Sequence, residues 1–366
     1  MKRDAHSAMA PGRISNASIG LEDIAAPAHA QAASQPLRFS VIIANYNYAA
    51  YVGRAIESAL AQRWPALEVI VVDDGSTDGS REAIESFRDR VTARFVANGG
   101  QRAANNLGFS LSSGEIVVFL DADDVLEPDF ASEVASVWRA GISKVQVQML
   151  RVDAAEKSLE TVIPALPAAP SAQAIRDWAR STTEYPTPPG SGNAYAREFL
   201  EQFFPIGPEH DSSTDSTCLA MAPLLGDVVT VLKPLVRYRL HGANDSNLFA
   251  SSGRFGREVK RAMVRQNSIA LTMSGLGLTS PPAEALRRSL HVLQLRTASL
   301  RLDPADHPMP RDNRIRAILD ALAAPFRPSY HSFAKRLAIA TWSLATLMAP
   351  DRVARRLVTH RFRLHA

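Results

Sequence analysis

The stretch EIVVFLDADD, Glu115 to Asp124, decides how the rest of the chain is read. Ile116 to Leu120 is an unbroken apolar run rich in β-branched residues, the pattern of a strand covered on both faces. Directly after it stand Asp121, Asp123 and Asp124, three carboxylates within four positions. Two like unit charges about 4 Å apart repel by roughly 1 kcal/mol in water, and by about 4 kcal/mol at an effective dielectric near 20. Such crowding where a core element ends calls for a positive partner. Two hard oxygen ligands with open positions, Asp121 and Asp123 pointing into a cleft, suit Mg²⁺ or Mn²⁺ shared with a diphosphate, while Asp124 supports the following turn. The plain alternative is a solvated turn or a helix cap, for which Asp is equally well suited.

The same design recurs upstream. From Leu37 the chain alternates FSVIIAN, YVGRAIESALAQ, EVIVVDD, SREAIESFRDR, ARFVAN and RAANNLGFSLSS before reaching this stretch. Short Val- and Ile-rich runs separated by segments of helical spacing predict a doubly wound α/β sheet. Ligands of such sheets bind beyond the carboxyl ends of the strands. NYN, DDGSTD and DADD all fall at that end. In VVDDGSTD (Val71 to Asp78), a capped turn accounts for Ser76 to Asp78 but not for the adjacent Asp73 and Asp74; a carboxylate such as Asp74 can accept hydrogen bonds from a base imide or a ribose hydroxyl.

Farther on, Asp129 to Arg139 reads as a helix, KVQVQML as a strand, and Pro164–Pro170 and TPPGSG (Thr187 to Gly192) as interruptions. SGNAYAREFL (Ser191 to Leu200) reads as a capped amphipathic helix, helical to Phe204, and Ser216 to Leu225 as another. A short strand pair after Val228 leads into YRLHGANDS, and from about Phe255 the pattern is mainly helical. Three regions are expected: a disordered leader over 1–36, a catalytic α/β domain over 37–250 and a helical region over 251–366.

With 366 residues, 46% hydrophobic and 21% charged, the chain has ample material for a large core. A net charge of +4, with the basic residues gathered toward the C-terminus, favours an anionic small molecule or a lipid surface over nucleic acid. The single cysteine, Cys218, excludes an intramolecular disulfide and fits a reducing, cytoplasmic location. No apolar run reaches the roughly 20 residues that span a bilayer. LAIATWSLATLMA (Leu337 to Ala349), followed by Arg352, Arg355, Arg356, Arg361 and Arg363, suits a helix in the membrane interface on the inner face of the cytoplasmic membrane, or equally a helix docked on the catalytic domain or in a dimer interface.

Taken together, VIIANYNYAAYVGRAIESALAQ, VIVVDDGSTDGS and NNLGFSLSSGEIVVFLDADD resemble the family 2 glycosyltransferases of the GT-A fold. The resemblance is strongest over Phe39 to Trp138 and continues to about Asn247. It implies that Ala44, Tyr46 and Asp74 line a base pocket, that Asp121 meets the ribose or sugar, and that Asp123 binds the Mn²⁺ or Mg²⁺ bridging the diphosphate. The metal is then the missing positive charge. Asp215, directly before STCLAMAPLL, is implied as the base, with Asp211 and Glu209 as the other candidates in that segment. In YRLHGANDS, Arg239 could pair with phosphate and His241 could ligate the metal. Two positions depart from the pattern: relatives often carry Arg where Asn105 stands, with Arg102 or Arg239 as substitutes, and Glu where Thr214 stands.

The expectation is an inverting, metal-dependent transferase moving sugar from a nucleotide-sugar, uridine-linked, to a hydroxyl of a glycan or lipid-linked acceptor in cell-surface polysaccharide synthesis. A noncatalytic nucleotide-sugar-binding or assembly protein on the same fold is the alternative. A nucleotidyltransferase would need a glycine-rich phosphate loop after the first strand, and ANYNYAAY is not one.

Overall fold

A computed structural model describes residues 35–211, 213–241 and 253–363, without the side chains of Arg254 and Arg363. The expected leader thus lies almost wholly outside the described residues, as do Gly242 to Ser246 of YRLHGANDS and the expected boundary at 250. The described residues from Pro36 onward form one compact unit.

The first half alternates as its pattern predicts. Strand β1 (Phe39–Asn45) leads to α1 (Val52–Leu60), β2 (Leu67–Asp73), α2 (Ser80–Glu85), β3 (Thr92–Phe95), α3 (Gln101–Leu111) and β4 (Ile116–Asp121). These four strands are parallel in the order β3-β2-β1-β4. Register matters for function here. Ala44 pairs with Asp121 and Asn45 with Asp73, so the polar ends of three strands finish at one level. Helix α1 buries Val52, Ala55, Ile56 and Ala59, an i, i+3, i+4, i+7 stripe, against this sheet. Each fully buried Val or Ile there contributes about 1.5–3 kcal/mol. Helix α3 comes close to β1 at Gly108, where an added Cβ would lie 2.3 Å from Ile42 Cγ2.

Beyond β4 the sheet becomes mixed. The two-residue β5 (Val125–Leu126) and α4 (Phe130–Ser136) precede the long β6 (Ile142–Val152) and its hairpin partner β7 (Ser158–Ile163). Helix α5 (Ala172–Thr182), which sequence reading did not anticipate, is followed by the 3-10 turn Gly190–Gly192, then β8 (Asn193–Ala196) and the one-turn α6 (Arg197–Leu200). The expected helix from Ser191 is therefore corrected: Asn193–Ala196 is a strand inserted antiparallel between β4 and β6. After α7 (Thr214–Leu225), the expected strand pair is instead one strand, β9 (Asp227–Arg239), which runs beside β6 with three register shifts.

The last third is helical: α8 (Arg254–Gly275), α9 (Ala285–Arg288), α10 (Leu290–Leu302), α11 (Arg314–Ala323), α12 (Phe333–Met348) and α13 (Asp351–Arg363). Helix α12 turns Ile339, Ala340 and Leu347 into the bundle, so much of the apolar tail is packed against protein. No described helix is long and apolar enough to cross a membrane.

Candidate active site

The aligned strand ends open into a cavity of about 750 Å³. One wall is Ala44, Tyr46 and Asp74; the floor carries Asp121 and Asp123; Asp215 stands across from them beside Gly190. Glu258, Arg261, His291 and Leu295, from α8 and α10, also line it. Sequence reasoning missed these four. Helical periodicity says that a face is buried, not which cavity its edge meets.

The adjacent acids Asp73 and Asp74 part company at the end of β2. Asp73 is a structural residue, accepting from Asn45 Nδ2 (2.8 Å) and from the Ser76 hydroxyl (2.6 Å) and amide (3.2 Å). Asp74 lines the cavity, with Oδ1 and Oδ2 each accepting a backbone amide, from Gly99 and Gly100, both at 2.8 Å. Gly100 has φ +84°, which an L side chain adopts only under strain. Asp74 is thereby fixed in orientation while each oxygen keeps a further lone pair for a ligand.

The β4–β5 turn distributes its three acids similarly. Asp124 is buried and ties distant segments together: Ser191 Oγ donates to its Oδ2 (2.6 Å) and the Arg239 amide to its Oδ1 (3.0 Å). Burial, then the Asp123 and Asp121 charges, push its carboxyl well up. Asp121 is raised to about 8, by burial first and then by Asp123 and Asp215. A Cβ on Gly190 would lie 3.3 Å from Asp121 Oδ2 and 3.6 Å from Asp215 Cβ, so the glycine keeps the gap between the two acids open.

Asp123 Oδ2 lies 2.9 Å from His241 Nε2, and the imidazole is stacked on Tyr51 (centroids 5.1 Å) with Tyr48 edge-on (5.9 Å). The NYNYAAY loop thus sets the angle of the ring. Among the described residues no group of three His, Cys, Asp or Glu could hold a metal ion by itself. The Asp123–His241 pair presents one carboxylate oxygen and one imidazole nitrogen, donor types that divalent cations accept.

Of the three base candidates only Asp215 reaches the cavity. It lies in the first turn of α7, where its Oδ1 accepts from the Ser213 hydroxyl and from the Ser216 amide (2.7 Å). Asp211 is buried among Arg261 Nε (3.4 Å), Arg265 Nη1 (3.3 Å) and Ser216 Oγ (2.9 Å). Burial opposes its charge, but Arg261, Ser216 and Arg265 outweigh it and hold the carboxyl below its usual range. Glu209 is half exposed beside His210.

The two expected phosphate partners are placed elsewhere. Arg239 donates to Asp123 O (2.8 Å), Ala154 O (2.9 Å) and Glu156 Oε1 (3.0 Å), and lies over the Tyr51 ring. Arg102 donates to His210 O (3.3 Å). Neither lines the cavity; both brace segments that do. Asn105, at the first departure from the family pattern, donates to Thr214 Oγ1 (3.0 Å), the second departure.

Residues 40–204 match the model of the family described as Glycosyl transferase family 2. An uncharacterized glycosyltransferase of Nostoc sp. is 39% identical over 223 residues, 59% of this chain and 69% of the Nostoc protein. The chain belongs to glycosyl transferase family 2. The chondroitin synthase of Pasteurella multocida is 41% identical over 93 residues, which are 25% of this chain and only 10% of that protein. In fold the chain is similar to S. aureus TarS (residues 1–349, solved in complex with UDP-GlcNAc), with a TM-score of 0.51 and 18% identity over 87% of this chain and 92% of that one. These matches identify a glycosyltransferase of the GT-A fold, as the motifs implied.

Proposed function

We propose that the cavity takes a nucleotide-sugar, uridine-linked, and that this glycosyltransferase moves the sugar with inversion to a hydroxyl of a glycan or lipid-linked acceptor in cell-surface polysaccharide synthesis. The observation that carries this reading is the convergence of Asp74, Asp121, Asp123 and Asp215 on one cavity, while Asp211 and Glu209 stay outside it. The S. aureus protein of similar fold was solved with UDP-GlcNAc, in keeping with a uridine donor.

In this reading the base lies against Ala44 and Tyr46, with Asp74 accepting from its imide or from the ribose. Asp121 meets the ribose or sugar. Asp123 and His241 would hold Mn²⁺ or Mg²⁺, which when bound supplies Lewis-acid stabilisation to the charge developing on the diphosphate. Asp215 takes the acceptor's hydroxyl proton on its free Oδ2. The acceptor oxygen then bonds the anomeric carbon from the face opposite the diphosphate, and the glycosidic electron pair leaves on the diphosphate oxygen.

Paired variants test this. Asp215→Asn should lower kcat by about 10²–10⁴ and leave donor affinity within a few fold. Asp123→Ala should abolish turnover together with metal-dependent donor binding, measured by calorimetry with and without Mn²⁺. Retention of most activity by Asp215→Asn would remove Asp215 as the base.

A further inference from the structure

The helical region carries an apolar ridge that the catalytic reading does not use. Helix α11 buries Ala317, Asp320 and Ala321 and turns Ile315, Leu319 and Leu322 outward, in line with Phe326 on the 3-10 turn that follows. Their spacing of four, three and four residues makes one stripe along the element. The Phe326 ring meets Phe333 at the start of α12 (centroids 6.4 Å), and Leu337 follows one turn later. The six side chains are between 47% and 81% exposed. Lone exposed apolar residues are ordinary, but a continuous ridge of six marks a contact surface.

The charges beside the ridge identify what it meets. Between Arg311 and Leu337 the sequence carries six basic residues and two acidic ones, Asp312 and Asp320. Both acids are turned into the bundle, where Asp312 pairs with Arg296, and Asp320 with Arg287, Arg296 and Arg327. Arg311, Arg314, Arg316 and Lys335 are exposed. Within this segment the exposed ionised side chains are therefore all cationic. Pairing with a second copy across a two-fold axis would set arginine against arginine. An anionic bilayer surface meets both requirements: Leu, Ile and Phe enter the boundary of the acyl region while Arg and Lys stay among the headgroups.

We infer that the ridge formed by α11, Phe326 and the first turns of α12 docks this protein on membranes bearing anionic lipid. This centres the membrane contact on α11 and the start of α12, because Ile339, Ala340 and Leu347 of the expected tail face the bundle. The inference does not rest on the identity of donor, acceptor or base.

The test is sedimentation of the intact chain with phosphatidylcholine vesicles, with and without phosphatidylglycerol. Binding to the phosphatidylglycerol vesicles, weakening with added salt, is expected. The triple variant Ile315→Asp/Leu319→Asp/Phe326→Asp, with positions exposed enough to leave the thermal transition in place, should bind at least about tenfold more weakly. Arg314→Glu/Arg316→Glu should lose the preference for phosphatidylglycerol. Three results would overturn the inference: no binding by the intact chain, unchanged binding by the triple variant, or a dimer in light scattering that the triple variant converts to monomer.

Discussion

Asp211 and Asp215 are four positions apart in one segment, and their surroundings differ completely. Asp211 is enclosed by two arginines from α8 and the Ser216 hydroxyl, whereas Asp215 has one oxygen tied down and faces the cavity. Removing either charge should therefore be read out differently. Asp211→Asn weakens charge-assisted hydrogen bonds to Arg261 and Arg265 and should lower stability by about 2 kcal/mol in urea unfolding. Part of the activity should survive. Asp215→Asn should unfold at nearly the wild-type midpoint and lose about 10²–10⁴ in kcat. Equal kcat losses in the two variants would show that the division of roles is wrong. The position of Asp215 directly before the helical pattern was legible in the sequence; the enclosure of Asp211 was not, because it is made by arginines of α8, about 50 residues farther along the chain.

At the scale of elements, the alternating first half was legible because β1, β2 and β4 are largely buried on both faces and α1 carries a buried stripe, while β3 at the end of the strand order is half exposed. The failure at β8 has a physical origin. Asn193 is buried and bonds Pro189 O, Gly190 O and Lys144 Nζ, while Tyr195 is buried beside Phe119, so tertiary contacts override a local pattern that reads as a helix start. The junction of α3 with α7 illustrates the same dependence on distant partners. Asn105 and Thr214, each a departure from the family pattern, prove to be hydrogen-bond partners in the interior. The pair is thus coupled. Asn105→Arg alone would bury an unpaired guanidinium at a cost of about 3–5 kcal/mol, and Thr214→Glu alone an unpaired carboxylate of similar cost. Together they form an ion pair, so the double variant should be more stable than either single one. Unfolding free energies that simply add would refute the coupling.

At the scale of the whole molecule, the helical region contributes to the site as well as covering the sheet, because Glu258, Arg261, His291 and Leu295 belong to it. Its own interior is held by Arg296, which is fully buried between Asp312 (2.7 Å) and Asp320 (3.0 Å); Asp320 also accepts from Arg287 and Arg327. This network joins α9, α10 and α11, and α10 carries both Arg296 and the cavity residues His291 and Leu295. Burial works against charge on Asp320, yet hydrogen bonds from Arg327 and Arg287 and the Arg296 charge prevail and lower its pKa from 3.8. A carboxyl depressed in this way adds stability that is complete above the unfolded value and disappears as pH falls through the folded one. Asp320→Asn should therefore cost about 3 kcal/mol at neutral pH by leaving arginine charge uncompensated in the bundle. It should also flatten the fall in stability below about pH 4, because one of the carboxylates responsible for that fall is gone. Circular dichroism melts from neutral pH to pH 3 measure both effects. Activity at a temperature where the variant remains folded should decline through loosened positioning of α10, with the chemistry of Asp215 untouched and the pH dependence of kcat unchanged. A variant as stable as the wild type at pH 7 would mean that Arg296 is satisfied by Asp312 alone, and the bundle would then be held by its apolar contacts.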